Sequence, residues 1–226
     1  MGIQPRRVPG RLVVAIDGGV ATGKSSVCTA VSQRLQLPYF NAGLLYRALA
    51  LWCVRQRIAL DNAGGVTETA ARTYPVGVSL DRGITAISLA GRDVSDQLKT
   101  STVSRAVSAV ARHAEVRAAM NARQREIVRY AESTYGGVVI DGRDTTTVVV
   151  PDADVKILLI ADAQARALRV RTGEGAGAAA ERDAADAAVS DFLQPRPDVT
   201  VLDTSDLDLG ELVTRVLCHV FRATSG

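Results

Sequence analysis

Residues 16–26 read IDGGVATGKSS, and they follow directly on the apolar, β-branched run Leu12–Ile16. Such a run suits a strand buried on both faces, while Lys24–Leu35 places Val27, Ala30, Val31 and Leu35 on one helical stripe. The glycine-rich segment therefore joins a strand to a helix. Gly18 and Gly23 let the backbone turn tightly enough to aim successive N–H groups at an anion, helped by the positive end of the following helix. The spacing G-x-x-x-x-G-K-S predicts a phosphate-cradling loop made of Gly18, Gly19, Val20, Ala21, Thr22, Gly23, Lys24, Ser25 and Ser26. Lys24 would reach the β- and γ-phosphates of a nucleotide, and the Ser25 hydroxyl would ligate Mg²⁺. An ordinary glycine-rich turn would explain the glycines but not the lysine, one of only three in the chain.

With 226 residues, the chain fits one α/β domain carrying an insertion. No apolar stretch approaches membrane-spanning length, and MGIQPRRVPGR at residues 1–11 reads as a flexible basic tail without the apolar segment of a secretory signal. Cys28, Cys53 and Cys218 are widely spaced in apolar, periodic segments, which predicts reduced thiols and a cytoplasmic location. The net charge is only +3 and the arginines are scattered with few aromatics among them, so a nucleic-acid-binding surface is not expected. A monomer acting on small-molecule nucleotides, with no membrane partner, is the expectation.

Strand-like runs recur at Val138–Ile140, Val155–Ile160 and Val199–Leu202, separated by helical or loop sequence, which is the rhythm of a parallel sheet flanked by helices. Residues 44–57 read as a helix with Leu45, Leu49 and Trp52 on its apolar side. Runs around Val76–Leu80 and Ile84–Leu89, split by Asp81-Arg82-Gly83, suggest a small hairpin-rich insertion. A long helical segment from Val103 to Tyr130 is expected to break near His113.

A phosphate loop alone does not name a reaction. The base-reading N-K-x-D of GTPases and the L-S-G-G-Q type signature of transporter ATPases are both missing, which leaves small-molecule phosphoryl transfer. Such chemistry needs arginines beyond the loop and a cover that excludes water.

The segments IDGGVATGKSS, FNAGLLYR, ISLAGRDVSDQLKT, AVSAVARHAEVR, VVIDGRDTTTVVVPDADVKILL, ERDAAD and VLDTSDL occur in the order and approximate spacing of the bacterial cytidylate kinase family, which the chain resembles from about Leu12 to its C-terminal helix. The resemblance implies a P-loop parallel-sheet fold in a single domain over residues 12–226, with an acceptor-binding insertion at about 63–102 and a short lid at about 166–190. It implies transfer of phosphate from ATP, with Mg²⁺, to CMP or dCMP. Lys24, Arg143 and Arg47 match catalytic positions, the two arginines gripping the acceptor's 5′-phosphate. Ser108, Arg117 and Asp144 match the groups that read the cytosine edge, and Tyr46, Arg182 and Asp186 those around the sugar. Asp141 resembles the carboxylate that acts on Mg²⁺ or its waters. Chemistry agrees on the base, since an amino donor beside two acceptors is complementary to a carboxylate, an arginine and a hydroxyl.

Several positions depart from the family pattern. Gly19-Val20-Ala21 stands where Pro-Ser-Gly is usual, Ala42 where a serine or threonine is usual, and Thr146 where a glycine is usual. Val189 occupies an arginine position, and Arg166 and Arg182 are only sixteen positions apart, a shorter and less basic lid. Three readings stay open on sequence: a (d)CMP kinase with rearranged phosphate contacts, a related kinase for a modified cytosine nucleotide or another small acceptor, and a nucleotide-binding module with weakened turnover.

Overall fold

The computed structural model describes residues 11–171 and 196–225. At its centre, β1 (Leu12–Gly18) is buried along its whole length, with β6 (Gly137–Gly142) and β7 (Val155–Ile160) parallel on either side. β2 (Tyr39–Asn41) pairs with β6 and β8 (Thr200–Asp203) with β7, giving a parallel sheet of order β2-β6-β1-β7-β8. The expected α/β class is therefore what forms.

Alternation along β1 divides the core in two. Val13 and Ala15 point to one face, where α2 (Gly43–Arg55) contributes Leu45 and Leu49 and α5 (Ala114–Tyr135) contributes Val116 and Met120. Leu12, Val14 and Ile16 point to the other, against Val27 and Val31 of α1 (Lys24–Leu35) and Leu212 and Val216 of α7 (Leu209–Thr224). An apolar run without polar alternation reads as doubly buried because both faces carry helices. α7 begins with a capping box, in which Asp208 accepts from the Glu211 amide and Glu211 accepts from that of Asp208.

The break expected near His113 is real. α4 (Ser101–Ala111) ends two residues before His113, whose extended backbone precedes α5 and whose Nε2 lies 2.9 Å from the Leu60 carbonyl. The short helix α3 (Ala63–Glu68) is followed by a wide helical turn at Thr69–Thr73. Then β3 (Val76–Asp81), β4 (Ile84–Leu89) and β5 (Arg92–Asp93) form a separate antiparallel sheet. Its Arg82-Gly83 turn leans on α1, the Gly83 amide donating to Ser32 Oγ at 2.8 Å, and a Cβ on Gly83 (φ +77°) would meet the Gln33 side chain at 2.8 Å. Thr85 Oγ1 fastens the hairpin to β2 by donating to the Tyr39 carbonyl and accepting from the Asn41 amide.

Candidate active site

The loop after β1 wraps the start of α1. Gly23 is left-handed at φ +85°, and its carbonyl accepts the Val27 amide at 3.0 Å, so the helix starts immediately beyond it. Gly18 allows close packing on β7, where a Cβ would lie 2.7 Å from the Leu159 carbonyl oxygen. Ala21 is also left-handed, at φ +62°, a region that suits glycine better than alanine.

Asp141, at the C-terminal end of β6, is only 1% exposed. Its Oδ2 accepts from Ser25 Oγ at 2.9 Å and from the Tyr39 hydroxyl at 3.0 Å, with Lys24 Nζ 3.9 Å away. Asn41 Nδ2 in turn donates to the Tyr39 hydroxyl. A buried carboxylate needs such partners to stay charged. Burial, and then the Asp141 charge, push the Tyr39 phenol well above its ordinary range, so Tyr39 is a fixed donor here.

A second buried carboxylate escapes motif reading. Asp17, also 1% exposed, accepts from the backbone amides of Thr145 and Thr146 and from both their hydroxyls. It ties the residue before Gly18 to the residues after Asp144. Arg143 reinforces the link, donating from NH1 to the Gly18 carbonyl at 2.9 Å. One signal could have found Asp17: a charge at the end of a buried apolar strand must be paired or functional.

From α6 (Ala163–Arg171), Arg166 donates to the Val20 carbonyl and Arg169 to those of Ala21 and Thr204. The fully buried Thr204 donates on to the Thr22 carbonyl at 3.1 Å. These bonds brace the phosphate loop from behind, a role that sequence alone did not assign.

A cavity of about 660 Å³ brings the two halves of the site together. Its lining includes Gly19, Val20, Ala21, Gly23, Lys24, Ser25 and Ser26 of the phosphate loop, and Tyr46, Arg47, Arg117, Asp141, Arg143 and Asp144 from other elements. Gly18 and Thr22 support the loop from beneath rather than lining the space, the Thr22 hydroxyl donating to the Gly19 carbonyl. Arg47 donates from NH1 to the Leu98 carbonyl and Ser104 Oγ, and Arg117 to the carbonyls of Ala111 and Arg112 that end α4. Ser108 is half-buried on α4 and is not part of the lining, whereas Val107 and Ala111 of the same helix are. Arg182, Asp186 and Val189 lie outside the described residues, as does most of the expected lid. Ala42 lines the cavity at the start of α2 with no side-chain cap. Among the described residues no helix is long and apolar enough to cross a membrane.

The family model that matches residues 14–222 is Cytidylate kinase. A cytidylate kinase of Rhodococcus jostii (strain RHA1) is 37% identical over 227 residues, covering 95% of this chain and 96% of that one. A cytidylate kinase of Geobacillus sp. (strain WCH70) is 40% identical over 144 residues, a stretch that is 64% of this chain but only 62% of the relative. The crystal structure of an uncharacterized protein from Eubacterium ventriosum superposes with a TM-score of 0.51 at 11% identity, covering 93% of this chain and 99% of that one, a likeness of fold alone.

Proposed function

The chain belongs to the cytidylate kinase family, and from that premise we infer that it is a phosphotransferase moving the γ-phosphoryl group of ATP onto CMP or dCMP. The observation that carries this reading is one cavity lined both by a phosphate loop with Lys24 and by Arg47, Arg143, Arg117 and Asp144. Two anionic reactants must be brought together, and cations on both sides offset their repulsion.

Lys24 and the loop amides hold the donor's terminal phosphates, and Arg143 and Arg47 hold the acceptor's phosphate. Both arginines are anchored at one end by backbone carbonyls, which orients their guanidinium groups before substrate arrives. Arg117 and Asp144 face the base. Ser108, on the helix whose Val107 and Ala111 line the cavity, joins them in reading the base, and Tyr46, Arg182 and Asp186 belong to the sugar side.

Ser25 Oγ and the Asp141 carboxylate form a pair of hard oxygen donors 2.9 Å apart, which suits Mg²⁺. No cluster of three or more His, Cys, Asp or Glu able to hold a metal occurs among the described residues, and Mg²⁺ ordinarily takes most of its ligands from phosphates and water. When bound, the ion would offset phosphate charge; Ser25 and Asp141 would hold it or its waters.

Residues 63–102 serve as the acceptor-binding insertion and residues 166–190 as the lid. The two fully buried thiols, Cys28 and Cys53, suit a reducing cytoplasm, and a monomer with small-molecule partners and no nucleic acid completes the reading. A match across nearly the whole chain favours this activity over a different acceptor or a turnover-deficient binding module. A panel of nucleoside monophosphates with ATP and Mg²⁺, followed for diphosphate product, tests it. CMP and dCMP should lead; no diphosphate from any cytosine nucleotide would refute it.

A further inference from the structure

Asp17 is the last side chain of β1 before the first glycine of the phosphate loop, and strand alternation puts it on the same face as Val13 and Ala15. An apolar residue there would extend the core stripe. A carboxylate only 1% exposed stands there instead. Its Oδ1 accepts from the amide and hydroxyl of Thr145, and its Oδ2 from those of Thr146. Hydrogen bonds at that depth largely offset the cost of burying the charge, so what the arrangement contributes is a fixed geometry.

What it fixes are the chain neighbours of Arg143 and Asp144. Sheet register sets Asp17 opposite Gly142, the residue before Arg143, while its carboxylate holds Thr145 and Thr146, the residues after Asp144. One residue of β1 therefore secures both ends of the Arg143-Asp144 segment. The segment closes tightly, since a Cβ on Gly142 would lie 2.5 Å from Thr145 Cγ2. The Asp144 carbonyl accepts the amides of Val148 at 2.9 Å and Val149 at 3.1 Å, so the wide turn at Thr145–Val149 begins at once. Arg143 is tied to the same strand end, donating to the Gly18 carbonyl at 2.9 Å. Arg143 and Asp144 border the cavity; Asp17 does not, and reaches them only through their neighbours.

We propose that Asp17 is a positioning residue for the acceptor: by holding Thr145 and Thr146 it fixes the backbone of Arg143 and Asp144, and with it the hold on the acceptor's phosphate and the discrimination of its base. This rests on the roles given above to Arg143 and Asp144. A carboxylate accepts at both oxygens and donates at neither, so it can take all four donors at once. An amide of the same shape turns an N–H toward the backbone amide of one threonine and cannot. Asparagine thus breaks the clamp without changing its volume.

Steady-state kinetics with CMP and UMP at saturating ATP, on wild type, Asp17→Asn and Thr145→Val, test the proposal. Misplacing a binding group by about 1 Å costs about 10²-fold, so Asp17→Asn should lower kcat/KM for CMP on that scale, with a raised KM. The CMP to UMP ratio should fall at least about fivefold, the lower edge for one lost or mismatched buried hydrogen bond. Thr145→Val deletes one hydroxyl donor and keeps both amides, and should move both quantities the same way but less. KM and the ratio do not depend on how much of a preparation is folded, so a merely structural role would lower the melting temperature and leave both unchanged. That outcome in Asp17→Asn overturns the proposal while leaving the roles of Arg143 and Asp144 standing. Should Asp17→Asn fail to fold, Thr145→Val decides by the same two readouts. A wild type indifferent to the base overturns the Asp144 reading itself; the KM for CMP then decides alone, a rise in the variants supporting the clamp and an unchanged value refuting it.

Discussion

Thr146 donates twice to Asp17, from its amide at 2.8 Å and from its hydroxyl at 2.7 Å, although the two residues are 129 positions apart. The glycine usual in the family at this position has no hydroxyl to offer. The departure at Thr146 therefore adds a charge-assisted bond to a buried carboxylate beside the phosphate loop. Thr146→Val keeps the shape and deletes the donor, so it should lower stability by about 1.5–3 kcal/mol. Urea unfolding of both proteins measures this; an unchanged midpoint would mean that Thr145 and the two amides already satisfy Asp17.

Ala21 is held at φ +62° inside the phosphate loop, where the family usually has glycine. The left-handed region costs a residue with a Cβ roughly 1–2 kcal/mol, whereas glycine loses about 0.4–1 kcal/mol through its freer unfolded state. Ala21→Gly should therefore stabilise the fold by about 0.5–1 kcal/mol net, seen as a higher melting temperature. A lower melting temperature would show that loop strain at this residue is negligible.

Lys24 is the loop's only cation and sits 3.9 Å from Asp141, too far for a hydrogen bond. Lys24→Ala should reduce kcat for CMP by at least about 10²-fold, the scale for losing one preorganised group on a charged transition state. Asp141 keeps its bonds from Ser25 and Tyr39, so the melting temperature should move little. Near-normal turnover would remove this loop from the chemistry.

Burial pushes the Cys53 thiol from its ordinary 9.0 up to about 11 and raises Cys28 as well. Raised folded-state values favour the protonated thiol in the folded protein. This contribution is fully present below the unfolded value and is lost as pH rises through the folded one. Stability should thus decline above about pH 9, with Tyr39 and Tyr74 adding to the decline at higher pH, since burial raises both phenols. Urea midpoints at about pH 8 and about pH 10.5 check this, and Cys53→Ala should show a shallower fall than wild type. Equal slopes in the two proteins would exclude Cys53 as a source.

Much of the architecture was legible locally. The β-branched run ending at Ile16 and the G-x-x-x-x-G-K-S spacing placed β1, the phosphate loop and α1, because strand burial and loop geometry are set by neighbours a few residues apart. The Arg82-Gly83 hairpin and the break before α5 were equally local. Ser108 sits on α4 beside Val107, and it is Val107 and Ala111 of that helix that line the cavity. Residue identity at Ala21 raised a question, but only the backbone angle answered it. Asp17 meeting Thr145 and Thr146, and Arg169 reaching Ala21 and Thr204, were decided by tertiary structure alone. Each depends on the parallel register of β1 with β6 and β7, which aligns Asp17 with Gly142 and with Leu158. No local pattern encodes that alignment. It follows from which apolar faces pack together, so the residues that complete the site are neighbours through the sheet and not along the chain.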